Sequence, residues 1–176
     1  MSGHSKWAQI KRQKGSEDAK KSKLFGKLGS LIAAESRKSK GDISAPGLRT
    51  AIEKAKKENM PKDTIDRAVK KGMGGEGDAM ESLTYEAYGP GGSALIIEAL
   101  TANRNKAAQE IKHILTRNGA TLAQPGAASW AFTKTIDAWE PNTTIPLSDT
   151  DGEILSRIIE ELEDNDEVQE VFTNGD

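Results

Sequence analysis

The chain has 176 residues, 35% of them hydrophobic and 30% charged, which supports folded globular structure and leaves room for one ordinary domain or two small ones. No window approaches the roughly 20 apolar residues that cross a bilayer, and the first residues lack the apolar core of a secretory signal. Cysteine is absent, which excludes disulfides, thiolate metal sites and cysteine nucleophiles, so a cytoplasmic protein without membrane attachment is expected.

The formal net charge of −2 conceals a polarised chain: residues 1–71 hold 19 basic and 8 acidic residues, and residues 72–176 hold 6 and 19. Such a chain is expected to meet a polyanion with one end only. Residues 1–16 set Lys6, Lys11, Arg12 and Lys14 around Trp7 and Ile10, with Gly3 and Gly15, and predict a mobile basic arm that orders on a partner. From Glu17 the pattern becomes helical. Leu24, Phe25, Leu28, Leu31 and Ile32 share one face, Lys20, Lys23 and Lys27 lie towards other faces, and Gly41 offers a cap near Lys40.

Pro46 opens a second helix carrying Leu48, Ala51, Ile52 and Ala55 on one face, and Asn59-Met60-Pro61 breaks it. A third helix is predicted over 61–71, with Ile65, Ala68 and Val69 inward and Gly72 just past its end. Three narrow apolar stripes predict a small basic bundle that leaves its lysines outside. Four glycines within 72–77 then read as a hinge. Gly72, Gly74 and Gly77 match the spacing of a dinucleotide fingerprint, but here a helix precedes and a strand follows, the reverse of what that motif needs.

The second half alternates strands and helices. Residues 83–88 and the apolar run 93–100 flank Gly89-Pro90-Gly91-Gly92 and predict a hairpin. A helix over 104–118 follows, with Asn103 as N-cap and Gly119 beyond its end. Strands are expected at 129–133, with Trp130 and Phe132 on one face, and at 143–147. Ser148 and Asp151 form a capping-box pattern ahead of Ile154, Leu155, Ile158, Ile159 and Leu162, and Val168, Val171 and Phe172 make a last strand. From Ser93 onward the order is β-α-β-β-α-β. The expected fold class is therefore α+β: a basic three-helix N-terminal domain, then a ferredoxin-like domain with one extra strand in front. The expected divisions are an arm at 1–16, a helical domain at 17–71, a hinge at 72–80 and an acidic domain at 81–176.

Catalysis finds little support. His4 and His113 have no companion at metal-ligand spacing, and neither a G-x-S-x-G elbow nor a Walker loop occurs. Acid pairs such as Glu160 with Glu161, and Asp164 with Asp166, lack the calcium-loop spacing and read as a solvated helix end. No catalytic residue, metal or cofactor is assigned. Phosphate binding is the stronger signal. Lys6, Lys11, Arg12, Lys14, Lys20, Lys21, Lys23 and Lys27 supply point charges suited to backbone attraction more than base reading, with Trp7 interleaved. Arg104 and Lys106, with Lys112 and Arg117 further along the same helix, either extend that track or form a solvated face. No aromatic residue occurs in 93–100 or 143–147, which disfavours base stacking on the sheet in the manner of RNA-recognition motifs.

Several stretches together carry a family resemblance: Gly3-His4-Ser5-Lys6-Trp7 with Ile10-Lys11, Asn59-Met60-Pro61-Lys62-Asp63-Thr64-Ile65, Tyr85-Glu86-Ala87-Tyr88-Gly89-Pro90-Gly91-Gly92, Asn103-Arg104-Asn105, and Leu162-Glu163-Asp164-Asn165-Asp166-Glu167-Val168-Gln169. Nearly end to end, the chain resembles the YebC/PmpR family of probable transcriptional regulators, which includes a mitochondrial translational activator of cytochrome c oxidase. The resemblance implies a cytoplasmic, non-enzymatic protein with a helical domain followed by ferredoxin-like domains. Its members are described as DNA-binding regulators in some settings and as ribosome-associated translation factors in others. Typical members are longer by a domain inserted between the stretches matching 128–134 and 143–147, where this chain has only 135–142. The leading expectation is a DNA-binding regulator of gene expression. The alternatives are a ribosomal-RNA-bound translational activator, or a protein-interaction module whose acidic domain meets a protein partner.

Overall fold

The computed structural model describes residues 17–75 and 77–176. They divide into two compact units, one over residues 16–81 and the other over 82–176. The first unit is helical: α1 (Glu17–Ser39), α2 (Pro46–Lys57) and α3 (Lys62–Met73). Leu28 and Ile32 of α1, Leu48, Ala51 and Ala55 of α2, Met60 of the connecting turn and Ile65 of α3 form its buried core. Leu24, Phe25, Leu31, Ile52, Ala68 and Val69 pack around them, so all three predicted stripes are used.

The helix ends are where local chemistry shows. Asn59 takes a left-handed φ of 63° after α2, and the Met60 N–H donates to Ala55 O at 3.0 Å, a Schellman closure that turns Met60 into the same core as Ala55. The end of α1 is built alike, with the Gly41 N–H donating to Ser36 O at 2.9 Å. There the first left-handed residue is Lys40, at φ 55°, one position before the expected glycine cap. Helix α3 also differs from expectation. It runs through Gly72 to Met73, because Gly72 is buried where α3 crosses α1, and a Cβ there would strike the Ala33 carbonyl and the Ser36 side chain. Beside this crossing the Ser36 hydroxyl donates to Val69 O at 2.6 Å. Beyond α3 the Arg37 guanidinium donates to Gly75 O at 3.3 Å and Gly77 O at 2.8 Å, tying the glycine-rich stretch to α1.

The second unit contains β1 (Glu81–Tyr88), β2 (Ala94–Thr101), α4 (Arg104–Arg117), β3 (Thr121–Ala123), β4 (Phe132–Lys134), β5 (Trp139–Pro141), α5 (Asp149–Asp164) and β6 (Val168–Thr173). Four strands form one sheet in the order β3-β1-β2-β6, and β4 pairs with β5 in a separate two-stranded sheet. The hairpin is closed by the Gly89 N–H to Ser93 O at 2.8 Å, and β2 lies antiparallel to β6 with Ile97 opposite Val171. Both helices start as expected: Asn103 accepts from the Lys106 N–H and Ser148 from the Asp151 N–H, each at 3.1 Å. One sheet face (Ala87, Leu95, Ile97, Ala99) packs on Ile111 and Leu115 of α4 and on Leu155, Ile158 and Leu162 of α5. The other face (Ala94, Ile96, Phe172) is covered by Ala128, Ala131 and Phe132 with Ala138 and Trp139. The class is α+β, with N-terminal helices and a ferredoxin-like layering of two helices on one sheet face.

Three strand expectations are corrected. The short β3, which periodicity does not reveal in three residues, joins the sheet by pairing with β1, whose hairpin with β2 forms as expected. Residues 129–131 form a 3₁₀ turn ahead of the short β4. The Ala128 and Ser129 N–H groups, donors that a strand would offer to its neighbour, are taken by the Glu86 carboxylate at 2.9 and 2.6 Å. Residues 143–147 contribute one parallel bridge, Ile145 with Gly175, rather than a strand, with the Ile145 N–H donating to Asn174 O at 2.7 Å and the Leu147 N–H to Asp176 O at 2.9 Å.

Candidate nucleic-acid interface

In the helical unit 15 Lys and Arg face 11 Asp and Glu; in the sheet unit the counts are 6 and 16. Many of the helical unit's cations have an ordinary structural explanation. Arg37 and Lys38 occupy the last turn of α1, Lys54, Lys56 and Lys57 that of α2, and Lys70 and Lys71 that of α3. There they offset the partial negative charge of exposed carbonyls.

Lys20, Lys21 and Lys23 do not fit that explanation. They sit in the first two turns of a 23-residue helix, far from the last turn where the macrodipole favours cations, and Lys27 follows one turn later. At 100° per residue, Lys20, Lys23 and Lys27 fall on one flank of α1, away from the Leu28–Ile32 face that enters the core. At 1.5 Å per residue they span about 10 Å along the axis, a distance over which adjacent backbone phosphates can be met. Lys21 lies on another side, with its ammonium 5.5 Å from the centre of the Phe25 ring, held against the helix by cation–π attraction. The other expected residues of the basic head, Lys6, Trp7, Lys11, Arg12 and Lys14, lie outside the described residues.

The cations of α4 belong to the sheet unit and are met by acids. The Lys106 ammonium is 3.0 Å from Glu167, whose hydrogen bond and charge raise the lysine above its ordinary value, with Glu110 and Asp166 adding to the effect. The Arg117 Nε and Nη2 reach the same Glu161 oxygen at 3.0 and 2.9 Å, and Asn118 Nδ2 joins them at 2.8 Å. A phosphate approaching Lys106 or Arg117 must compete with a carboxylate already seated there. Arg104 is exposed in the first turn of the same helix, and Lys112 and His113 are exposed further along it.

Sequence reading passed over the exposed Arg49 on α2 and Lys62 and Arg67 on α3, which add positive charge to the helical unit outside its core. Their signal was present in the sequence, since each falls off the apolar stripe of its own helix. Among the described residues no group of three or more His, Asp or Glu side chains is placed to hold a metal ion. No described helix is long and apolar enough to cross a membrane.

Fold and charge thus define a two-unit α+β protein that carries its positive surface on an N-terminal helical unit. Residues 5–75 match the model of the TACO1/YebC protein N-terminal domain, and residues 80–136 match that of the TACO1/YebC second and third domain. The chain belongs to the TACO1/YebC family. A Fervidobacterium nodosum protein named "Probable transcriptional regulatory protein" is 38% identical, over all of this chain and 94% of its own length. One of the same name from Petrotoga mobilis is 44% identical over 98% of this chain and 70% of its own. The first alignment occupies 237 positions against 176 residues here, so that relative carries a domain-sized stretch with no counterpart in this chain. Among solved structures, the conserved hypothetical protein Aq1575 from Aquifex aeolicus superposes with a TM-score of 0.80 at 30% identity, over 98% of this chain and 97% of its own.

Proposed function

We propose that the protein is a non-enzymatic transcriptional regulator of the cytoplasm that binds DNA through its helical unit, with Lys20, Lys23 and Lys27 holding phosphates along one flank of α1. The observation that carries this reading is the alignment of those three lysines on one flank of α1, away from its last turn, where a bound polyanion offsets the crowding of like-signed charge. The names of the relatives support the regulatory role. Lysines on a helix flank without an arginine fork or a paired amide favour contact with the backbone over reading of base edges.

The test is fluorescence anisotropy of the full chain with a labelled DNA duplex and, in parallel, a structured RNA hairpin, across a salt series. Binding to the duplex should weaken steeply with salt. Replacing Lys20, Lys23 and Lys27 together with alanine should reduce the log–log salt slope by up to about three, one for each phosphate no longer neutralised, and weaken all duplex sequences alike. An unchanged slope removes α1 from the interface. Salt-sensitive binding confined to the hairpin replaces the DNA reading with an RNA one.

A further inference from the structure

The sheet unit exposes two aromatic rings that its core does not need. Trp130 is 75% exposed and Tyr88 44% exposed, although neighbouring Ala131 and Phe132 are buried. The Tyr88 hydroxyl donates to the Ala127 carbonyl at 2.7 Å, and the Trp130 indole N–H donates to the same oxygen at 2.8 Å. The polar edges of both rings therefore meet at one atom and are satisfied there, and what the pair presents outward is apolar edge and π face. The loop carrying that carbonyl is rigidly held. Glu86, on the same side of β1 as Tyr88 and buried, accepts N–H bonds from Gly126, Ala128 and Ser129 at 2.6, 2.9 and 2.6 Å. A fixed pair of exposed rings of this kind marks an interaction surface.

Charge decides what fits it. The platform belongs to the unit with 16 acidic and 6 basic residues, and the Glu86 carboxylate lies directly beneath the loop. A phosphate-bearing strand is repelled there, whereas a cation is drawn both by the unit's charge and by the negative π faces. The same unit already uses a tryptophan in this way, with the Lys134 ammonium 5.1 Å from the centre of the Trp139 ring. We propose that the Tyr88–Trp130 platform is a docking site for an arginine- or lysine-bearing segment of a protein partner, with a cationic side chain seated on the exposed rings. This surface belongs to a different unit from the α1 flank, and the proposal does not depend on nucleic-acid binding.

The full chain labelled with 5-fluorotryptophan tests it by ¹⁹F NMR, the Trp130 resonance being assigned from Trp130→Phe. Titration with a capped hexa-arginine peptide should shift that resonance saturably. Trp130→Ala and Tyr88→Ala, followed by isothermal calorimetry, should each weaken peptide binding about threefold or more, and that ratio should persist in high salt while overall affinity falls. Tyr88→Phe, which deletes the bond to Ala127 but keeps the ring, should retain most of the binding, and unchanged thermal unfolding of each variant establishes that folding is intact. Equal peptide affinity in wild type and Trp130→Ala overturns the proposal, since diffuse acidic charge is then sufficient. A shift of the Trp130 resonance by single-stranded oligothymidine but not by the peptide overturns it in favour of base stacking.

Discussion

In the helical unit seven cations stand in the last turns of helices and three on one flank of α1, and the core of the unit is built from apolar side chains. In the sheet unit several charged groups are part of the construction. Glu86 gathers three backbone N–H groups. Glu98 accepts from Thr84 Oγ1 at 3.0 Å and Trp139 Nε1 at 2.7 Å, Glu110 accepts from Asn165 Nδ2 at 2.9 Å, and Glu161 joins Arg117 and Asn118 across α4 and α5. Acidic side chains of the sheet unit thus hold loops and helix ends, whereas the core of the helical unit takes no charged side chain. Equal numbers of charged residues in a sequence do not imply equal roles.

The sharpest way to break this contrast is Glu86→Ala. Three N–H groups lose their acceptor in a buried site, and unfolding of the sheet unit should become easier by about 3 kcal/mol in urea titrations, with the transition of the helical unit unmoved. Gly72→Ala is the counterpart in the helical unit. Its added methyl meets the Ala33 carbonyl and should cost about 2 kcal/mol, confined to the transition of residues 16–81. Ser148→Ala removes the acceptor for the Asp151 N–H at the start of α5 and should cost about 1 kcal/mol. The triple lysine variant of α1, which removes no side chain of the helical unit's buried core, should cost less stability than any of these while altering DNA binding.

Acid sharpens the same comparison. Burial pushes the Glu86 carboxyl up, but the N–H bonds from Gly126, Ala128 and Ser129 together outweigh it and hold the group below its ordinary value of 4.5. A folded value below the unfolded one means that the carboxylate contributes stability above about pH 4.5, and that this contribution is lost as pH falls through the lower folded value. The urea midpoint of the sheet unit should therefore drop between about pH 5 and pH 3 in the wild type, and drop less in Glu86→Gln.

Much of this is legible without the structure. The helices, their apolar faces and the caps at Asn103 and Ser148 follow from spacing and from side chains that reach their own backbone. Glycines are harder, because one residue serves several purposes. Gly119 closes α4 in a left-handed turn as expected, whereas Gly72 reads as a stop and is instead the point where two helices touch. Spacing puts Trp130 on a strand face beside Phe132. The strand starts only at Phe132, and ahead of it Glu86, more than forty residues earlier, takes the Ala128 and Ser129 N–H groups and Trp130 sits in a 3₁₀ turn.

The sequence by itself determined the basic helical beginning, the acidic α+β remainder and the family, since composition, periodicity and motif are properties of neighbours along the chain. Only the tertiary structure decided that β3 joins the sheet beside β1, that Lys106 and Arg117 are matched by acids on distant segments, and that Tyr88 and Trp130 meet at one carbonyl. Each of these depends on groups brought together by burial of the two cores. Hydrogen bonds and ion pairs between residues far apart in sequence leave no periodic trace in it.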